Sequence, residues 1–573
     1  MWITGNRIIF LLFLVVLTSC SNANNSTVPK NRLKILAVFA HLGKSHFDVF
    51  KPLLEQLSRR GHDLTVISHF PRTEKAIAEE PLPTYKDISL RNEELGVFVN
   101  VVDLHGIDSV NFQIFTDLYM LYTMSGLVCD IALKNPEVKQ LVDSGKKFDL
   151  MLVESFNTNC FMALVHKFNV PFIQISTHQL MTWAIDDLGV SNEVSYIPAM
   201  FTRLPRPMNF FQRMINAVSV FVTTMIFRTV FNWRDYSVAN EFYGPGIPDL
   251  KSISNNASLM FVNTHYSVHG AISFPPNVIE VGGIHISPKV KPLPPKIKKF
   301  LDEAHEGVLY FNLGSMVKTA SMPEDKLKML IKVFTSIPRK VIWKWEVDGV
   351  PDNSGLNNSN NVLIEKWLPQ YDILNHPNVK CYFGHGGLLG LSEGVQSGVP
   401  MILMPFYGDQ YQNAIAAQAR GVALMVDFSN LNEQTLKHAL DEIFNNTRYS
   451  ENAKKLSKAF KDRPNTPLET AVWWTEYVGR GNAFPYIRSE AANMSWCQRN
   501  LIDVMVTLAV LVLLSLYVSY RVLKCILTRE RRGFTATKGT VEAARSRMEA
   551  TVPGNQRCTR LRGIYSSTLD ELA

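Results

Sequence analysis

A chain of 573 residues is longer than a single hydrophobic core supports, so two or more domains are expected. With 46% hydrophobic and 19% charged residues, wholesale disorder is excluded. The net charge of +8 is concentrated at one end: eleven Lys/Arg against five Asp/Glu from Arg521 to Ala573 give about +6, so the rest is near neutral and shows no nucleic-acid-binding footprint.

Arg7, the apolar run Ile8–Leu17 and the small residues Ser19, Cys20, Ser21 and Ala23 give residues 1–23 the layout of a secretory signal peptide. An uncleaved N-terminal anchor is the alternative. Leu33–Phe39 then reads as a strand. Phe47–Arg60 carries Phe47, Phe50, Leu53, Leu54 and Leu57 at helical spacing, Gly61 stops it, and Leu64–Ser68 is the next strand. The same strand–helix–strand order recurs at Asp149–Val153, Cys160–Lys167 and Pro171–Ile175, then at Val308–Asn312, Glu324–Ser336 and Lys340–Trp345. It returns once more at Val379–Phe383, Gly387–Ser397 and Met401–Met404. Such βαβ units imply parallel sheets buried on both faces. The Pro-rich stretch Pro288–Pro295 separates the two sets, which predicts two doubly wound α/β domains, residues 24–287 and 288–498, facing a cleft.

Two apolar runs bear on the membrane. Met214–Phe231 is interrupted by Arg228 and reads as an amphipathic helix of the first domain resting on the bilayer surface, with a second span as the alternative. Val504–Tyr520, within residues 499–523, is long enough to cross a bilayer, and Arg521, Lys524, Arg529, Arg531 and Arg532 place the tail 524–573 in the cytoplasm. The expected topology is therefore single-pass type I, with everything before the span lumenal or extracellular. Cys129, Cys160, Cys381 and Cys497 lack metal-ligand spacing and are expected to be buried free thiols. Asn256, Asn357, Asn445 and Asn493 head sequons usable in such a compartment.

The segment 367–410 carries the chemistry. Gly384-His385-Gly386-Gly387 is a glycine-rich turn between a strand and a helix, and a helix N-terminus approached closely by backbone suits a diphosphate. Glu393, two turns along that helix, is placed to accept hydrogen bonds from a ribose diol. Asp409-Gln410, after the next strand, offers acceptors and donors to sugar hydroxyls, and Trp367 offers a ring for stacking on a base. This segment resembles the signature of the UDP-glycosyltransferase family, the animal UDP-glucuronosyltransferases and insect UDP-glucosyltransferases. Weaker similarity runs from about residue 33 to the tail, with FNLGSMV at Phe311–Val317 and DQYQNA at Asp409–Ala414 resembling further family blocks.

The resemblance implies a GT-B fold with the UDP-sugar held mainly by the C-terminal domain and a small lipophilic acceptor by the N-terminal one. By motif position, Trp367 would stack on uracil and Gln370 would contact base or ribose. Glu393 would hold the ribose, Ser315, His385 and the Gly386–Gly387 backbone the diphosphate, and Asp409 and Gln410 the sugar. Two positions depart from the family pattern: Gly384 replaces a common threonine, and Leu389 a residue that is polar in other branches. The family's catalytic histidine fits His46, with His41 as the alternative base, and its carboxylate partner falls on Glu154, where aspartate is usual. The implied reaction is an inverting transfer of a hexosyl group from UDP-glucose, with UDP-glucuronate as the second choice and no metal or other cofactor. A non-catalytic lumenal binding protein keeping the UDP-sugar pocket is the competing reading. Residence in the endoplasmic reticulum membrane, with the plasma membrane as second choice, and detoxification are family expectations; association into a homo-oligomer is left open.

Overall fold

The computed structural model describes residues 32–91, 102–104, 113–191, 193–346, 356, 359–481 and 484–550. The signal peptide, the last part of the tail and the Asn357 sequon lie outside these residues. The chain divides into two compact units, one ending at Asn493 and the other starting at Met494.

The first unit is built on two parallel sheets. One has seven strands, in the spatial order Tyr85–Ser89, Asp63–Ser68, Lys34–Phe39, Leu150–Glu154, Phe172–Ser176, Leu259–Val262, Val278–Glu280. The other has six, in the order Val362–Glu365, Lys340–Lys344, Val308–Asn312, Val379–Gly384, Met401–Leu403, Ala423–Met425. In both, the chain starts in the middle, runs to one edge and returns to build the other side. This creates a switch point between Lys34–Phe39 and Leu150–Glu154, and a second between Val308–Asn312 and Val379–Gly384. At a switch point the loops leaving adjacent strands diverge to opposite faces, and a crevice opens beyond the strand ends. The strands read as apolar runs because helices cover both faces: Ile35 to Phe39, Leu150 to Glu154 and Val308 to Asn312 are all buried.

Helices that matter below are α1 (Lys44–Arg59), α2 (Gln113–Lys134), α3 (Thr182–Asp187), α4 (Phe210–Ile226), α5 (Asn232–Tyr243), α6 (Leu388–Ser397), α7 (Gln410–Ala419) and α8 (Ile502–Ala550). α1 buries Phe47, Phe50, Leu53, Leu54 and Leu57, the stripe its spacing predicts, and the chain turns at Gly61 with φ 92°. α4 and α5, joined by a π-helical turn at Phe227–Phe231, contain the apolar run Met214–Phe231. Ile226, Phe227 and Phe231 pack into the core of the first half, so α4 is a helix of that domain. The two halves exchange segments. Val102–Asp103 pairs with Val317–Lys318, and Pro467–Gly479 returns to the first half, where Glu476 takes an ion pair from Arg60 at 2.7 Å. In the second unit, α8 contains an apolar stretch long enough to be a candidate membrane span.

One expectation is corrected. Cys129 and Cys160 are not free thiols but a disulfide, with Cα atoms 6.1 Å apart, tying α2 to the loop before the helix Met162–Phe168. Sequence spacing carried no hint of it, because the pairing comes from α2 packing across a distant strand end. Cys497 is exposed rather than buried, and only Cys381 matches the buried free thiol expected.

Candidate active site

The first switch point assembles the titratable groups of the first half. His46 stands in the first turn of α1, after the strand Lys34–Phe39, and Glu154 ends the neighbouring strand. Their side chains meet, His46 Nδ1 to Glu154 Oε1, at 2.6 Å. Thr177 Oγ1, from the loop after the next strand, lies 3.0 Å from the same nitrogen. Glu154 therefore reaches His46 despite its extra methylene relative to aspartate. Burial pushes Glu154 above the usual carboxylate range and His46 below the usual imidazole range. The neutral imidazole has its Nδ1 proton directed at Glu154, which leaves Nε2 as the basic nitrogen.

His41 is built differently. Its Nδ1 accepts from the Gly43 amide at 2.9 Å, so the ring is tied into its own turn. It stacks on His46 at 3.9 Å between centroids, and Phe156 abuts the pair edge-on, 4.7 Å from His46. His41 thus serves as the wall against which His46 is oriented. His178, 6.0 Å from His46, donates from Nδ1 to the Gln179 carbonyl at 2.5 Å, while its buried Nε2 has no partner among the described residues.

The second switch point is made of backbone. The turn Gly384–Gly387 follows the strand Val379–Gly384, and Gly387 is the N-cap of α6 without any side-chain cap, so first-turn amides stay open. His385 is clasped by glycines: a Cβ at Gly314 or at Gly387 would collide with its ring. Ser315 follows Gly314 in the same turn. Burial and the nearby Lys344 charge push His385 down to about 4. Lys344 is itself buried and donates to the Gly314 carbonyl at 2.5 Å. The departure at Gly384 has a packing cause, since the Tyr382 ring fills the space a side chain would need. Leu389 packs against the core cluster of the first half, so an apolar residue there seals the two halves.

Gln370 and Glu393 are joined: Gln370 Nε2 donates to Glu393 Oε2 at 2.5 Å, and Asn312 Nδ2 donates to Gln370 Oε1 at 2.7 Å. Burial pushes Glu393 up to about 7. Trp367 is 69% exposed, an uncovered ring preceding this network. Asp409 accepts from Asn413 Nδ2 at 2.8 Å and burial pushes it up to about 6. Gln410 folds back, its Oε1 accepting from the Phe406 amide at 2.8 Å, which leaves Nε2 as the end able to reach a ligand.

The two crevices are joined through one loop. Thr177 touches His46, and two residues on Gln179 Nε2 donates to Asn413 Oδ1 at 3.3 Å. Asn413 in turn donates to the Gly386 carbonyl at 3.0 Å. Sequence reasoning missed Thr177, Asn312, Lys344 and Asn413. Asn312 and Asn413 lie in the family-like blocks FNLGSMV and DQYQNA, and Lys344 is a cation closing the apolar strand run Lys340–Lys344.

Two Rossmann-like domains meeting at such a cleft define the GT-B class of glycosyltransferase. A solved UDP-glucosyltransferase from Polygonum tinctorium aligns over 78% of this chain and 99% of its own, with a TM-score of 0.53 at 17% identity, a likeness of fold. The family model for UDP-glucoronosyl and UDP-glucosyl transferase matches residues 34–538. UDP-glucosyltransferase 2 of Dactylopius coccus is 35% identical over 88% of this chain and 93% of its own length. UDP-glucuronosyltransferase 2B15 of Homo sapiens is 31% identical over 80% and 87% respectively. The chain belongs to this family and is a UDP-glycosyltransferase.

Proposed function

We propose that the enzyme transfers a glucosyl group from UDP-glucose to the hydroxyl of a small lipophilic acceptor, with inversion at the anomeric carbon. The observation that carries this reading is the 2.6 Å contact of His46 with Glu154, linked through residues 177–179 to the turn at Gly386. His46 Nε2 takes the acceptor's proton, and Glu154 stabilises the imidazolium that forms. The acceptor oxygen bonds to the anomeric carbon as its bond to the diphosphate breaks. UDP leaves with the electron pair, against the open amides of α6, Ser315, His385 and the buried Lys344 cation. These fixed donors make a metal ion unnecessary in this reading. Trp367 stacks on uracil, Gln370 and Glu393 hold the nucleoside, and Asp409 and Gln410 read the sugar.

A neutral sugar is favoured by charge. Asp117 of α2 accepts from the Gly408 amide at 3.3 Å, and burial pushes it up to about 6. With Asp409 it places two buried carboxylates at this end of the site, where a glucuronate would add a third anion. The name of the Dactylopius relative points the same way. The Cys129–Cys160 bridge supports an oxidising compartment, and we assign the first unit to the lumen of the endoplasmic reticulum with α8 as anchor.

Radiolabelled UDP-glucose, UDP-galactose and UDP-glucuronate offered with a panel of phenols and aliphatic alcohols test the proposal. A β-glucoside as the main product supports it. Transfer from UDP-glucuronate alone would overturn the donor assignment, and equal rates for His46→Ala and the parent would overturn the base.

A further inference from the structure

The strand Phe172–Ser176 runs out into four consecutive polar residues, Ser176, Thr177, His178 and Gln179, all of them buried. Polar atoms shut from water need partners, and three of these side chains have theirs. The Ser176 hydroxyl donates to the His178 carbonyl at 3.0 Å. Thr177 Oγ1 lies 3.0 Å from His46 Nδ1, and the Thr177 carbonyl accepts from the buried Asn263 Nδ2 at 2.9 Å. Gln179 Nε2 donates across to Asn413 Oδ1 in the second half at 3.3 Å.

His178 is satisfied on one side only. Its Nδ1 faces the Gln179 carbonyl at 2.5 Å, an oxygen with no proton to give. The Ser176 hydroxyl, 3.3 Å from the same nitrogen, has its proton on the His178 carbonyl. The ring proton therefore sits on Nδ1, and Nε2 carries a bare lone pair. Among the described residues none donates to it. Burial pushes the imidazole down to about 4, so the lone pair stays free of a second proton near neutrality. The ring is also fixed in place. It packs on Phe156 at 4.9 Å, and the Phe156 carbonyl accepts from Trp183 Nε1 of α3 at 2.8 Å. His46 packs on the same Phe156 ring at 4.7 Å, and the two imidazole centroids are 6.0 Å apart, within the span of one small molecule.

We infer that His178 Nε2 binds substrate, accepting a hydrogen bond from a hydroxyl other than the one that reacts. This rests on His46 as the base and UDP-glucose as the donor. The polar run sets His178 between Thr177, which touches the base, and Gln179, which meets the Asn413 that donates to Asp409 at 2.8 Å. The hydroxyl is therefore one on the transferred hexose or a second one on the acceptor, and either presents the same O–H to the lone pair. An ether, carbonyl or carboxylate there would oppose lone pair to lone pair, so the site selects against them.

A double-mutant cycle between enzyme and substrate, run on the full chain, tests this. The parent is compared with His178→Phe, which keeps a ring and deletes the lone pair, and with His178→Ala, which deletes both. Titration with UDP first confirms that each variant is folded. One arm uses UDP-glucose and analogues lacking the hydroxyl at carbon two, three, four or six. The other offers catechol, resorcinol and hydroquinone against their monomethyl ethers as acceptors. At one hydroxyl, its removal or methylation is expected to lower kcat/KM of the parent about 10-fold, and that of the variants less than about 2-fold. Coupling in the first arm assigns the hexose, and in the second the acceptor. His178→Gln, whose amide oxygen can stand where Nε2 does, should restore part of the selectivity. A residue that only packs lowers all rates alike, so equal losses in parent and variants for every hydroxyl in both arms would overturn the assignment. No transfer from UDP-glucose by the parent, or equal turnover by His46→Ala, would overturn the proposed function and this assignment together. Additive losses with His46 still essential overturn the assignment alone.

Discussion

The two switch points solve the same topological problem with different materials. In the first half the site is made of side chains: His46, Glu154, Thr177 and His41 hold one another in a buried cluster. In the second half it is made of backbone, with glycines hemming His385 and an uncapped helix start. A side-chain site tolerates loop variation but fails when one charge is removed. A backbone site is insensitive to charge and fails when an atom is added.

Substitutions can break this contrast. The largest effect is expected from His46→Ala, which removes the base and should lower kcat by about 10³-fold with little change in the KM for UDP-sugar. Single-turnover rates with and without the substitution check this. Glu154→Gln keeps the shape but not the charge, and a fall in kcat of about 10²-fold is expected, with Glu154→Asp recovering part of it. An unchanged rate would show that the Glu154 charge is not needed to stabilise the imidazolium. Gly387→Ala should act on the other parameter. Its added Cβ displaces the His385 ring, raising the KM for UDP-sugar by roughly 10-fold, the equivalent of about 1.4 kcal/mol. Calorimetric titration with UDP reads this directly.

The smallest effect is in pH. Glu393, pushed up to about 7 by burial, is largely ionised only above that value. Because its folded pKa is raised, its ionisation costs stability as pH climbs through about 7, and a ribose diol donating to the carboxylate offsets that cost. UDP affinity should therefore weaken a few-fold as pH falls below about 7, and Glu393→Gln should flatten the dependence.

Much of the fold was legible because its cues are local. Apolar runs, helical stripes and punctuating glycines place the βαβ units, and the turn Gly384–Gly387 announces itself by composition. The pairing of His46 with Glu154 was reached through family resemblance alone, since no local pattern connects residues that meet only across two strands. Thr177, Asn413 and the Cys129–Cys160 bridge stayed hidden for the same reason. The packing at Gly384, where the Tyr382 ring fills the space a side chain would need, is likewise beyond any local pattern.

The bridge between Cys129 and Cys160 also decides how this enzyme can be prepared. A bacterial cytosol keeps thiols reduced, and material made there would lack the tie between α2 and the loop behind Glu154. Losing such a bond typically costs about 2–4 kcal/mol, borne by the acceptor half while the donor half is untouched. A preparation that binds UDP yet turns nothing over is the expected signature of that loss, so secretory expression in an insect or yeast host is the appropriate source for every measurement above.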